Sequence, residues 1–287
     1  LPNPPEVVAL RQTKNPNLEL KPSKTIPVAT SEPNPKVAEL MDKAVELVNS
    51  GSAGIVEARD ILNDALSIPM NNEQRAVIKQ ELSSLADKWL ISYEVLPNDT
   101  LCSRYKVEPG ELLSTISTEH RVLWEILLEV NRIDRPELLK AGDIIKVIHG
   151  PFHARVCRST FTMDLYLQDT FVRSFRVGIG RPGRETPTGL WRVKPGGKLI
   201  SPTWTDPDTY KTYKADDPDY PLGSRWIGLE GISGEAEGRR GFAIHGTKKT
   251  EEIGTAGSRG CIRLYNGDAI LVYNLLMPGL SQVEVVE

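Results

Sequence analysis

The sequence predicts a multidomain chain: an all-α segment, then a compact α+β module, then a mainly-β domain that is β-sandwich-like with one helix. Three observations carry this. Apolar residues recur at helical spacing from Lys36 to Ile91; a strand, two helices and a strand fit between Tyr105 and Ile148; and from Phe152 onward the chain runs in short alternating stretches broken by Gly and Pro.

The 287 residues are 39% apolar and 25% charged, a composition that excludes disorder throughout. Uninterrupted apolar stretches such as Ala269 to Tyr273 fall far short of the ~20 residues that cross a bilayer. A net charge of -3 argues against nucleic acid held by bulk electrostatics. The chain opens at Leu1 rather than Met, so an export signal or membrane anchor removed from its N-terminus is expected.

Residues 1–35 carry eight prolines among Asn, Lys and Thr, which blocks helix and favours an extended tether. Over 36–92, one stripe runs through Val37, Leu40, Met41, Ala44, Leu47 and Val48. A second runs through Val56, Ile61, Leu62 and Ala65, and a third from Ala76 through Leu82 to Trp89 and Leu90, with breaks at Gly51, Gly54 and Pro69. The pattern is weakly similar to one tetratricopeptide hairpin with an extra helix. A single repeat cannot bury its own face, so the segment is expected to pack on a neighbour.

Residues 93–104 form a connector. Its stretch Tyr93 to Leu101 imitates the opening of the next unit, but the spacing to the two helices favours a start at Tyr105. From there come Tyr105-Lys106-Val107-Glu108-Pro109-Gly110-Glu111-Leu112-Leu113, a helix around Leu123 to Val130, Asn131, and a closing strand ending Ile144-Ile145-Lys146-Val147-Ile148. These residues resemble a LysM domain over 105–149, with Leu112 departing from the usual hydroxyl residue. The resemblance implies binding to N-acetylglucosamine-containing glycans, in bacteria peptidoglycan, with Glu108, Pro109, Gly110, Glu111, Asn131 and Arg132 as candidate contacts.

Within 152–287 only Asp268 to Met277 reads as helix, closed by Pro278-Gly279. The region contains Ile244-His245-Gly246-Thr247 and Ser258-Arg259-Gly260-Cys261-Ile262-Arg263. Thiolate chemistry needs an exposed cysteine turn, an imidazole to take the proton, and backbone amides for an oxyanion. Ser-Arg-Gly-Cys supplies such a turn, and a following helix would offer it a positive end. On these residues alone, an inert buried cysteine explains Cys261 as well.

The spacing of His245-Gly246 to Ser258-Arg259-Gly260-Cys261-Ile262-Arg263, together with Val177 to Gly180, Thr186 to Gly189 and Pro221 to Trp226, is similar to the YkuD-type L,D-transpeptidase catalytic domain. The resemblance implies Cys261 as nucleophile and His245 as base, oriented by the Gly246 carbonyl. It implies the Gly260 and Cys261 amides as oxyanion hole, and Ser258, Arg259 and Arg263 near substrate, with a structural salt bridge the equal alternative for Arg263. Many members carry a second His where this chain has Arg259. The implied activity is formation of 3-3 cross-links between peptidoglycan stem peptides through a cysteine thioester, in the cell envelope, by a target of carbapenems. Passing the thioester to water (an L,D-carboxypeptidase) or to an anchored protein uses the same chemistry, and a non-catalytic wall-binding chain is a further alternative.

No cofactor and no metal is expected, because His120, His149, His153 and His245 lack ligand spacing and Gly150-Pro151 separates the one close pair. If the end strands of the LysM unit pair antiparallel, Cys102 and Cys157 are drawn toward each other. A disulfide between them is the last expectation, leaving Cys261 free.

Overall fold

The computed structural model describes Pro27 and residues 29–287, so most of the expected tether over 1–35 lies outside the described residues. The end of that stretch is seated: the Thr30 amide donates to the Met70 carbonyl at 3.1 Å, and the Asn34 amide to Gln74 Oε1 at 2.8 Å. Asn34 also caps the first helix, α1 (Pro35–Asn49), accepting from the Lys36 amide. The next helix is α2 (Ser52–Ala65), and a Cβ on Gly54 would lie 2.0 Å from the Leu47 carbonyl oxygen, so the close crossing of α1 and α2 requires glycine there. Asn71 caps α3 (Asn72–Trp89), which buries Ile78, Leu82, Leu85, Ala86 and Trp89.

The LysM-like unit follows as β1 (Cys102–Lys106), α4 (Leu113–Glu119), α5 (Trp124–Asn131) and β2 (Ile144–Ile148). Strands β1 and β2 pair antiparallel with Tyr105 opposite Ile145, as the sequence predicts. Lys146, fully buried, reaches out of β2 to donate to the carbonyls of Trp89 (2.6 Å), Ser92 (2.9 Å) and Glu94 (2.8 Å). Its ammonium thus caps the last turn of α3 and locks the module to the helices. Burial lowers the pKa of this lysine, and Cys102, Asp99 and Glu94 oppose that shift.

The remainder builds β3 (Phe152–Cys157), β4 (Thr162–Leu167), β5 (Thr170–Arg176), β6 (Ile179–Gly180), β7 (Gly189–Ile200), β8 (Trp204–Thr205), β9 (Thr212–Tyr213), β10 (Leu222–Ser233), β11 (Phe242–Thr247), β12 (Ala256–Ser258), β13 (Ile262–Leu264), α6 (Asn266–Leu275) and β14 (Gln282–Val286). Hydrogen bonding joins eight of these strands in one sheet, β13-β11-β10-β7-β14-β3-β4-β5, rather than dividing them between two. The mainly-β expectation and its single helix hold. The C-terminal β14 lies in the middle, parallel to β3 and antiparallel to β7, with Val283 and Val285 buried.

The helices cover β5, the open edge of that sheet. Asn63 Oδ1 accepts the Phe171 amide at 3.0 Å, Lys79 Nζ meets Asp164 at 2.6 Å, and Arg173 meets Asp87 at 2.6 Å. Asn63 thereby pairs one backbone amide of the edge strand, and the helices shield it from pairing with another chain.

The expected Cys102–Cys157 disulfide is not formed, and all three cysteines are free. Cys102 is buried against the Trp89 carbonyl at the base of the LysM unit, whereas Cys157 closes β3 beside Glu287. The extended β3 carries Cys157 about 17 Å along the sheet from Phe152, well beyond bridging range. Burial pushes the Cys102 thiol up to about 12, so it behaves as a small apolar side chain.

Replacing Lys146 by Met keeps the stem but deletes three charge-assisted hydrogen bonds from buried carbonyls. Stability is expected to fall by about 2–4 kcal/mol, read as a lower urea midpoint.

Candidate active site

The site is organised by two strands that run the same way. Strand β11 is buried along Ala243 to Thr247, and β13 pairs with it in parallel, Ile244 opposite Ile262 and His245 opposite Arg263. Stepping back one residue sets Cys261 beside Ala243. Residues two apart on a strand share a face, so this register sets Cys261 on the His245 side of β11, Cα atoms about 8 Å apart from strand spacing and rise, with Cys261 Sγ directed at the Gly241 carbonyl at 3.9 Å. On the other side of β11, Trp226 of β10 pairs with His245, and its indole stacks on the imidazole with centroids 5.5 Å apart and planes 13° from parallel.

His245 Nδ1 lies 2.6 Å from the Gly246 carbonyl. A carbonyl only accepts, so Nδ1 carries the hydrogen and Nε2 presents its lone pair. Burial lowers the imidazole pKa to about 4, the Gly246 hydrogen bond opposes this, and Arg263 adds to it. The half-buried Cys261 has its thiol pushed up to about 11 by burial, against a hydrogen bond from the Ala243 backbone that draws it down. At neutral pH the pair is therefore thiol and neutral imidazole.

The cysteine turn is held from both sides. Ser258 Oγ donates to the Cys261 carbonyl at 2.6 Å and accepts from the Gly260 amide at 3.0 Å. Thr186 Oγ1 donates to the Gly260 carbonyl at 2.9 Å and accepts from the Gly180 amide at 3.0 Å. Gly260 sits at φ +112°, and a Cβ there would lie 2.6 Å from the Phe242 ring, so both backbone conformation and space demand glycine.

The family model described as L,D-transpeptidase catalytic domain, YkuD, matches residues 151–285, and the LysM domain model matches 105–147. A Bacillus subtilis protein named L,D-transpeptidase YqjB is 37% identical over 132 residues, covering 45% of this chain and 69% of that one. The chain belongs to the L,D-transpeptidase family. The L,D-transpeptidase YkuD of Bacillus subtilis is 28% identical over 185 residues, 61% of this chain and 94% of that one. The structure of L,D-transpeptidase 3 from Mycobacterium tuberculosis aligns with TM-score 0.38 and 20% identity, over 50% of this chain and 64% of that one.

Several of the expected contacts are already occupied by the chain's own groups. The Gly260 amide is taken by Ser258 Oγ, which leaves the Cys261 amide as the candidate oxyanion donor. Arg263 forms an ion pair with Glu252, and Arg259 is held by Asp206 and Asp208. Ser258 is buried and shapes the turn. The helix expected to present its positive end to Cys261 is displaced by β13; Asn266 at the start of α6 instead accepts the Ser224 amide at 2.8 Å. A Cβ on Gly246 would lie 2.6 Å from Asn266 Oδ1, so this glycine also lets α6 pack on β11.

In the LysM unit, Asn131 is buried and clamps β2, donating to the Leu127 and Lys146 carbonyls and accepting the Lys146 amide. It is not available to a sugar. The Glu111 carboxylate is spent on Tyr105 OH and the Glu108 amide. Glu108, Pro109, Gly110 and Arg132 remain exposed. His149 meets His120 at 3.2 Å rather than His153.

Residues not singled out individually in the sequence are Thr186, Trp226, Asp206 and Asp208. The first two stood inside the Thr186 to Gly189 and Pro221 to Trp226 motifs; the aspartates carry no motif signal.

Because burial raises the Cys261 pKa to about 11, alkylation by iodoacetamide should still accelerate between pH 9 and 11, where an ordinary thiol has reached its plateau. Mass analysis of the Cys261 peptide against pH measures this, and a plateau near pH 9 contradicts it.

Proposed function

We propose that this chain is a peptidoglycan L,D-transpeptidase that forms 3-3 cross-links through a thioester on Cys261 while its LysM unit holds glycan. The observation that carries the reading is the shared face of Cys261 and His245, with Nδ1 anchored on Gly246.

The neutral pair sets the order of events. As Cys261 Sγ attacks the carbonyl of the third stem residue, its proton passes to His245 Nε2, and the Cys261 amide supports the developing oxyanion. Collapse expels the terminal D-alanine amine, which takes that proton from the imidazolium and leaves a thioester. The side-chain amine of a second stem then attacks, giving its proton to His245. The thiolate departs and is reprotonated, restoring the pair.

Trp226, stacked on the imidazole, keeps the ring in the plane this exchange needs. It also excludes water from one of its faces, favouring the amine acceptor over hydrolysis.

The LysM unit raises the local concentration of stem peptides around the site. Its exposed rim at Glu108 to Gly110 and Arg132 is the surface offered to glycan. The site of action is the cell envelope, where the substrate is. No helix among the described residues is long and apolar enough to cross a membrane.

Purified muropeptides incubated with the chain are expected to yield dimers linked between third residues. Trimmed monomers would instead assign carboxypeptidase activity, and no change would remove the enzymatic reading. Cys261→Ala should lower turnover at least ~10³-fold with the thermal midpoint unchanged, and His245→Ala should follow it. A carbapenem should add to the wild-type chain as a mass shift absent from Cys261→Ala.

A Glu108→Ala/Arg132→Ala double variant is expected to pellet less with purified sacculi while turning over soluble muropeptides at the wild-type rate. Undiminished pelleting places the wall contact elsewhere.

A further inference from the structure

The chain leaves the sheet after β7 and returns at β10, and the excursion carries the β8–β9 hairpin. Two-residue strands cannot hold such a hairpin in place alone. The Trp204 and Tyr213 rings stack across it with centroids 6.1 Å apart. Its tip is built around Asp206, whose Oδ1 accepts the Asp208 and Thr209 amides. Tyr220 OH bonds the Pro202 carbonyl and Lys248 the Pro218 carbonyl, and these fix only the base of the excursion.

The tip is tied by ion pairs to the turn that bears Cys261. Arg259 Nη2 reaches Asp206 Oδ2 at 3.1 Å and Arg259 Nε reaches Asp208 Oδ2 at 2.7 Å. Asp208 Oδ1 in turn meets Arg184 Nη2 at 3.0 Å. Arg184 belongs to the loop that Thr186 fastens to Gly260 and Arg181 to Ser258. Three loops therefore converge on one four-residue network, two residues from the thiol.

We propose that Arg259 is a positioning residue that latches the Trp204–Tyr213 hairpin to the cysteine turn and so fixes one wall of the stem-peptide site. This rests on the reading of Cys261 as nucleophile. The chemistry of the side chain supports the assignment: a guanidinium fork bonds two carboxylates at once, which the shorter imidazole found at this position in many family members does not. Both aspartates have their pKa lowered. Burial opposes the shift for each, Asp206 being drawn down mainly by the Asp208 and Thr209 amides and Asp208 chiefly by Arg259. Arg259 and Asp208 are about one-third exposed, although Asp206 is only 11% exposed, so the latch is salt-sensitive and can release.

The test compares the full wild-type chain with Arg259→His, Arg259→Ala and Asp208→Asn. Hydrogen exchange at 204–213 is expected to quicken at least tenfold in all three, while β10 and β11 amides keep their protection. With a tetrapeptide muropeptide, KM should rise about tenfold and kcat stay within threefold. Added salt should raise KM in the wild type but not in Arg259→Ala. Unchanged hairpin exchange overturns the latch. A fall in kcat at constant KM, rescued by Arg259→His, also overturns it, assigning the position to proton transfer. If the wild type shows no turnover, the enzymatic reading fails by itself. The latch is then decided by exchange and by whether the tetrapeptide protects 204–213 in the wild type more than in Arg259→Ala.

Discussion

The parallel pairing of β11 with β13 is the constraint on which the rest of the site depends. Cys261 and His245 are far apart along the chain for a local turn, and an antiparallel return would set a different residue of β13 against each residue of β11. Running the two strands in the same direction, with His245 opposite Arg263, puts the cysteine turn two residues behind the histidine on one face. A parallel connection needs a crossover. The chain uses it for the segment 248–261, which supplies Glu252 to Arg263 and β12 to β6. The elements that look peripheral in sequence are thus what closes the turn.

That turn is specified by short, buried hydrogen bonds rather than by apolar packing. Ser258 and Thr186 each use one hydroxyl as donor and acceptor at once, bridging Gly260 to the strands beside it. Loss of either hydroxyl would leave a buried amide and a buried carbonyl unpaired together, a cost of about 1–3 kcal/mol per group. This explains why the motif needs a hydroxyl at 258 and a glycine at 260 while tolerating arginine at 259, whose side chain points away into the carboxylates of the hairpin.

Residues whose role is local were legible in the sequence; residues whose partners are distant were not. The strand-helix-helix-strand order of the LysM unit and the helix near 268–277 follow from periodicity and turn chemistry, while the His-Gly and Ser-x-Gly-Cys motifs were legible only through their resemblance to a family pattern. The central place of β14 does not, because alternation marks a strand and not its neighbours. The LysM resemblance puts Asn131 among the rim candidates, yet its amide satisfies the backbone of β2. Arg263 reads equally as a substrate contact or a structural salt bridge; the structure forms the salt bridge, with Glu252 from a loop that has no signal of its own. The disulfide expectation failed for a related reason: strand pairing in one module says where β3 begins and nothing about how far it then extends.

The electrostatic state of the site follows from the same burial that builds it. A thiolate–imidazolium pair would place two charges in a region from which Trp226 and the sheet exclude water. The shifts of both groups, cysteine upward and histidine downward, disfavour that pair in the resting chain. On the proposed reading of Cys261 as nucleophile and His245 as base, ionisation has to be coupled to bond formation, with charge carried onto the oxyanion and the proton onto His245 together. A resting thiol is also a poor target for oxidants, which attack thiolates. On the proposed reading of Cys261 as nucleophile, the burial that disfavours its thiolate also shields it from oxidants until substrate binds.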